Sequence, residues 1–193
     1  MGKMRRFLRK SSVGSERLAV TMSGVRLGER ALQVGLDDPQ IAALIAAKTG
    51  MTGQASLVVG DEAAAGTARD AVAEAGGLGD VQVVAALHPL PFADESYDLV
   101  VVHTARGLLS SLPREARERL LTECRRVLRA GGRLLALEAG TQTGLRGLFG
   151  GTKPDAGYEG SGGTAAALDA AGFRPVRTIG DRQGYRFIEG LKG

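Results

Sequence analysis

Two periods of apolar residues alternate along the chain. Short apolar runs bounded by glycine, proline or charge read as buried strands: Ala31 to Gly35 (ALQVG), Ala55 to Gly60 (ASLVVG), Val81 to Ala86 (VQVVAA), Tyr97 to His103 (YDLVVVH) and Arg133 to Ala139 (RLLALEA). Between them the spacing lengthens to that of a helix. Ser15 to Leu27 sets Leu18, Met22 and Val25 at helical intervals. Asp38-Pro39 opens a helix that turns Ile41, Leu44 and Ile45 inward and ends near Gly50. An aspartate there accepts from the free N-terminal amides, and proline suits the first turn. Ala63 to Ala75 is an alanine-rich helix closed by Gly76-Gly77. Arg114 to Arg129 carries Ala116, Leu120, Leu121, Cys124, Val127 and Leu128 on one stripe, and stops at Gly131-Gly132.

The last third is less regular. Residues 140–163 hold nine glycines and no strong period, so they read as a long loop. Thr164 to Ala171 is a helix ended by Gly172. Phe173 to Ile179 and Gly184 to Leu191 form a hairpin around Gly180-Asp181-Arg182-Gln183.

Five strands alternating with helices predict an α/β fold: a doubly wound, mostly parallel sheet with helices on both faces. The closing hairpin adds an antiparallel strand at one end, which makes seven strands. No internal repeat or domain boundary interrupts 15–193, so one domain is expected there, preceded by a basic tail at 1–14. The glycine-rich loop 141–160 lies within that domain.

Composition narrows the function. The ten N-terminal residues hold Lys3, Arg5, Arg6, Arg9 and Lys10 and no acid; five positive charges against a chain total of +4 leave the rest at −1. The basicity therefore belongs to a tail, and no nucleic-acid partner is expected of the folded domain. A solvated tail is one reading of this stretch. Weak contact with an anionic membrane surface is another, because Met4, Phe7 and Leu8 interleave with the charges. One cysteine excludes an internal disulfide and fits a reducing, cytoplasmic compartment. No apolar run approaches 18 residues, so no spanning helix is expected. No His, Cys and carboxylate cluster has metal-ligand spacing, so no metal is expected. Phe149-Gly150-Gly151-Thr152-Lys153 lacks the order of a phosphate loop, and no G-x-G-x-x-G follows the first strand.

The stretch from Val81 to Gly140 carries a more specific signal. A strand leads into Leu90-Pro91-Phe92, an acidic turn follows, then the strand ending Val102-His103, the long helix, Gly131-Gly132 and another strand. This order resembles the second half of the class I S-adenosylmethionine (SAM)-dependent methyltransferases, nearest to the small-molecule branch called methyltransferase type 11. The resemblance spans roughly residues 29–190. It implies a seven-stranded sheet with the last strand antiparallel, and SAM as the cofactor.

Carried over position by position, the resemblance picks out a cofactor site. The family's turn after strand one is roughly Asp-x-Gly-x-Gly-x-Gly, where glycines let the backbone approach the ligand. This chain has Gln33-Val34-Gly35-Leu36-Asp37-Asp38-Pro39: Gly35 survives, Gln33 replaces the acid, and Asp37 and Pro39 replace glycines. Gly35, Leu36 and Asp37 are the expected contacts. Asp38 is expected to cap the helix. Asp61 or Glu62, after strand two, stands where the family places a ribose-binding acid; capping the next helix is the competing role for Asp61. After strand three the family's adenine-contacting acid falls at Ala86, followed by Leu87 and His88 as the nearest candidates. His103 ends strand four, which in the resembled fold faces the transferred methyl. It is the candidate general base or substrate contact, and the competing reading is a hydrogen-bonded residue lining a cleft. Glu138 either lines the same cleft or is a structural partner. The loop with Arg146, Phe149, Lys153 and Tyr158 is either a lid over an apolar substrate or an unstructured connection.

Two functions stay open on the sequence. One is SAM-dependent methyl transfer to a small organic acceptor. The other is a catalytically inactive methyltransferase-like protein that binds a ligand or partner. The turn at Gly35–Pro39 discriminates between them. Oligomeric state has no signal in the sequence.

Overall fold

The structure is a computed structural model that describes residues 14–140 and 156–193. Seven strands form one sheet: β1 (Arg30–Val34), β2 (Gln54–Val59), β3 (Asp80–Val83), β4 (Tyr97–His103), β5 (Leu128–Ala139), β6 (Val176–Arg182) and β7 (Tyr185–Leu191). Their order is β3-β2-β1-β4-β5-β7-β6. The first five are parallel, and β7 pairs antiparallel with both β5 and β6. The expected architecture is present, with the antiparallel strand inserted next to the edge.

The helices are α1 (14–23), α2 (Pro39–Thr49), α3 (Glu62–Glu74), a single turn α4 (Leu108–Ser111), α5 (Arg114–Val127), α6 (Ala156–Gly160) and α7 (Gly163–Ala170). Alternation along each strand sorts side chains between two faces. Leu32, Val100, Val102, Leu134 and Ala136 face Leu120, Leu121, Cys124 and Val127 of α5 and Leu168 of α7. Ala31, Leu99, Val101, Leu135 and Leu137 face Ala19 of α1 and Ile41 and Ile45 of α2. Each fully buried leucine contributes about 2 kcal/mol in this packing. Cys124 is core, as its place on the stripe predicts. Among the described residues no helix is long and apolar enough to cross a membrane.

Several boundaries differ from the sequence reading: α1 ends at residue 23, short of Leu27, α6 (Ala156–Gly160) and the start of α7 at Gly163 fall within the stretch expected to be a loop, and three further differences have a local reason. α5 ends at Val127 and the chain is extended from Leu128, which pairs with Tyr97. Gly131-Gly132 is thus a kink inside β5, not the stop of a helix. Gly131 has φ +70°, and a Cβ on Gly132 would lie 2.8 Å from the Arg129 carbonyl. β3 ends at Val83, where a turn closed by the Leu87 amide on the Val84 carbonyl begins. In the hairpin, Gly180, Asp181 and Arg182 lie within β6 and the turn is Gln183-Gly184. Both turn residues have positive φ (53° and 87°), as a two-residue hairpin turn of matching twist demands.

Ionic ties gather at the amino-terminal end of the parallel strands. Arg133 pairs with Glu29 at 3.0 Å, and Asp98 pairs with Arg129 at 2.5 Å while accepting from the Arg30 amide at 2.8 Å. Lys192 donates to the Leu128 carbonyl at 2.5 Å. The opposite end, where β1 and β4 part to send their connections to opposite faces, carries the candidate site.

Candidate functional site at the carboxyl ends of strands 1 and 4

In a doubly wound sheet the ligand crevice opens at the carboxyl ends of the strands, where the order reverses. Here that point lies between β1 and β4. Gly35 turns the chain out of β1 with φ +78°, a conformation that strains any residue bearing a Cβ. A Cβ at this position would come within 3.1 Å of the His103 carbonyl and 2.9 Å of Leu108 Cδ2. The glycine therefore permits close packing of the β1 turn against the end of β4.

Asp37 crosses the crevice. Its carboxylate accepts from the Ala105 amide at 2.5 Å and from the Arg106 amide at 3.2 Å. It is 9% exposed, so it is not a solvated turn residue. Burial pushes its pKa above the ordinary carboxylate value, against the two amide bonds and the charge of Arg106 that pull it down. Asp38 takes the expected helix cap, accepting from the Gln40 amide at 2.9 Å.

Beneath the turn sits a buried polar pair. His103 Nε2 and Gln33 Oε1 are 2.9 Å apart, and both residues are 1% exposed. Gln33 Nε2 donates to the Ala42 carbonyl of α2 at 2.9 Å, which leaves its Oε1 to accept. The network thereby assigns the imidazole proton to Nε2 and leaves Nδ1 as a lone-pair acceptor. Nδ1 is buried with no hydrogen-bond partner among the described residues. Burial lowers the His103 pKa to about 4, so the ring is neutral at physiological pH.

The remaining sequence candidates divide by location. Leu36 packs against Ala42, Leu57 and Val59. Asp61 caps α3 by accepting from the Ala64 amide at 2.8 Å and stays exposed beside Gly60. Glu62 pairs with Arg69 at 3.2 Å on the surface. Leu87 is core and has φ +54°. His88 lies instead in a shallow groove with Pro89, Glu115, Glu118, Arg119, Thr122 and Glu123 on the outer side of α5. The crevice therefore brings together Gly35, Asp37 and His103, with Asp61 and Glu62 on the next turn, and leaves His88 in a separate groove.

A second polar network sits at the end of β5, on the α5 and α7 face. Thr164 donates to Glu138 and lies 2.6 Å from the Tyr158 hydroxyl. Arg186 reaches Glu138 at 3.8 Å. The buried Arg117 donates to the Leu109 carbonyl at 3.0 Å and lies 4.3 Å over the Tyr158 ring. Glu138 is thus held by structural partners, and Tyr158 is a core residue. Arg117 escapes a hydropathy reading, although its spacing with Leu120, Leu121 and Cys124 puts it on the buried stripe. Arg146, Phe149 and Lys153, like the basic residues of the N-terminus, lie outside the described residues.

Sheet order, switch point and glycine turn define a Rossmann-like fold of the methyltransferase kind. Residues 32–136 match the family described as "Methyltransferase domain". That is more than half of the chain, and the protein belongs to this family, whose members use SAM. The ubiquinone/menaquinone biosynthesis C-methyltransferase UbiE of Pseudomonas putida is 34% identical over 124 residues, 64% of this chain and 46% of that protein. Its Pseudomonas fluorescens counterpart is 35% identical over the same extent. The match thus spans less than half the length of these curated relatives. Among solved structures, a SAM-dependent methyltransferase from Aquifex aeolicus superposes with TM-score 0.68 at 17% identity, covering 92% of this chain and 89% of that one. The [4+2]-cyclase SpnF superposes with TM-score 0.64 at 19% identity, covering 92% and 79%. At these identities the likeness is one of fold.

The residues fit an adenosyl cofactor in part. A Cβ added at Gly60 would meet only the Ala85 carbonyl, at 3.8 Å, so the turn beside Asp61 is open. At the β1–β4 crevice the amides of Ala105 and Arg106 are already taken by Asp37, so they are not free to hold an anionic group of a ligand.

Proposed function

We propose that this chain is a SAM-dependent methyltransferase acting on a small, apolar organic acceptor. The observation that carries it is the β1–β4 switch point with its Gly35 turn, in a chain that belongs to the methyltransferase-domain family. In this reading Gly35 and Leu36 give the backbone approach, Asp61 or Glu62 accepts from the ribose hydroxyls, and Leu87 borders the adenine, while His88, in its separate groove, takes no part. When bound, SAM supplies an electrophilic methyl on sulfonium. The protein aligns the acceptor with it, and alignment alone supplies about 7–11 kcal/mol of such a barrier. His103 enters this reading as a positioning residue under the Gly35 turn: it is 1% exposed, and burial lowers its pKa to about 4, too low for a general base at neutral pH. Because the curated relatives are named for C-methylation in quinone biosynthesis, a quinone-precursor ring is the first acceptor class to try.

A second reading is favoured by one specific observation, the Asp37 bridge across the crevice. It is a methyltransferase-like protein without catalysis, acting by binding a ligand or partner. Calorimetric titration with SAM and with its demethylated product separates the two. Micromolar binding, followed by methyl incorporation into an acceptor, upholds the enzyme. No heat and no thermal shift at millimolar ligand rejects it.

A further inference from the structure

Two consecutive amides at the end of a strand form a small concave seat for an anion. In this protein Ala105 N and Arg106 N make such a seat at the switch point, and an internal carboxylate holds it through both oxygens. The groups around it are also acceptors or acids. Asp38 follows in the chain. The Tyr185 hydroxyl, at the head of β7, lies in the field of Asp38, Asp37 and Glu16, with Arg106 as the opposing charge. The His103 side chain packs under the same turn, its Cβ 3.8 Å from where a Cβ on Gly35 would sit. A ligand at this end of the crevice thus meets an occupied anion seat and negative charge. Such surroundings favour a donor or a cation and disfavour a second carboxylate.

We infer that Asp37 is a built-in occupant of the carboxylate seat. The site then selects adenosyl sulfonium or aminoalkyl ligands that carry no carboxylate, and decarboxylated SAM is the simplest of them. The inference rests on the adenosyl-binding reading above and names the ligand class of that same site. The nucleoside is held at the β2 side, and the ammonium or sulfonium, in place of a carboxylate, is read at the β1–β4 side.

The test is calorimetric titration of the full chain with SAM and with decarboxylated SAM, for the wild type, Asp37→Gly and Asp37→Asn. The wild type is expected to bind decarboxylated SAM at least tenfold more tightly than SAM. Asp37→Gly empties the seat and removes a charge, and is expected to reverse that order. Asp37→Asn keeps the size and one acceptor oxygen but loses the charge, and is expected to reduce the preference to a few-fold. If Asp37→Gly fails to fold by circular dichroism, the Asp37→Asn ratio decides. A wild type that binds SAM as tightly as the decarboxylated ligand, or folded variants with an unchanged ratio, overturns the inference and leaves methyl transfer standing. Absence of binding by either ligand to the wild type and the folded variants overturns both.

Discussion

His103 and Gln33 are hydrogen-bonded across β4 and β1 at 2.9 Å, entirely within the protein, one strand end below the crevice. Gln33 fills the position of the acid that precedes the family's glycine turn. Here it serves the fold by joining the imidazole to α2 through the Ala42 carbonyl. The two residues make the floor of the site a single polar unit.

That unit predicts an acid-sensitive stability. With a folded pKa lowered from 6.5 to about 4, His103 takes up a proton more readily in the unfolded chain. Its stabilising contribution is complete above pH 6.5 and is lost as pH falls toward 4, roughly 3 kcal/mol in all. Urea melts from pH 7.5 to 4 should show this loss in the wild type and a correspondingly flatter profile in His103→Gln.

Replacing Gln33 by glutamate puts a carboxylate against the ring and should raise the His103 pKa well above 4. The chain contains only two histidines, so both imidazole resonances can be followed through a proton NMR titration. An unshifted buried histidine in a folded Gln33→Glu protein refutes the pairing. Gln33→Leu, which leaves the Ala42 carbonyl and the His103 N–H without partners, should cost about 2–5 kcal/mol.

Gly35→Ala should cost about 2 kcal/mol or more. Left-handed backbone accounts for about 1–2 kcal/mol, and the His103 carbonyl at 3.1 Å cannot yield as the Leu108 side chain can. Equilibrium denaturation measures this directly. A neutral substitution would mean that the turn is not held against β4.

Arg126 fastens the β3–β4 connection to α5. It donates to the Phe92 carbonyl at 2.8 Å and the Leu90 carbonyl at 3.0 Å, and it pairs with Glu123 and Asp94. Its bond to Glu123 holds that carboxyl below the ordinary value, so the pair stabilises above about pH 4.5 and weakens as pH falls further. Arg126→Ala should lower stability by about 1–3 kcal/mol and speed hydrogen exchange at the Leu90 amide, which donates to Glu123. Unchanged exchange there would refute the tie.

The fold was legible because the inner parallel strands β1, β2 and β4 are buried on both faces and therefore read as plain apolar runs, as Leu99 to Val102 does. The Asp38 cap and Gly50 stop of α2 were equally plain. Gly131-Gly132 misled because the same dipeptide that ends a helix also kinks a strand, and only the pairing of Leu128 with Tyr97 distinguishes them. The site was harder. That Asp37 faces the amides of residues 105 and 106, 68 and 69 positions away, is a fact of strand order, which no local pattern encodes. His103 was visible as the end of a strand, but its burial depends on α2 supplying the carbonyl that orients Gln33. Arg117 shows the converse: periodicity placed it inside, and its charge concealed the fact.

The ion pairs at the amino-terminal end of the sheet divide the molecule's tasks between its two rims. Glu29 with Arg133, and Asp98 with Arg129 and the Arg30 amide, lock three neighbouring strands at the rim opposite the candidate site. The rim that carries Gly35, Asp37 and His103 is thereby spared the duty of keeping register. Its loops are free to drift in sequence while the scaffold beneath them stays aligned. A turn as altered as Gln33 to Pro39 can then be carried on a sheet that has not changed its order.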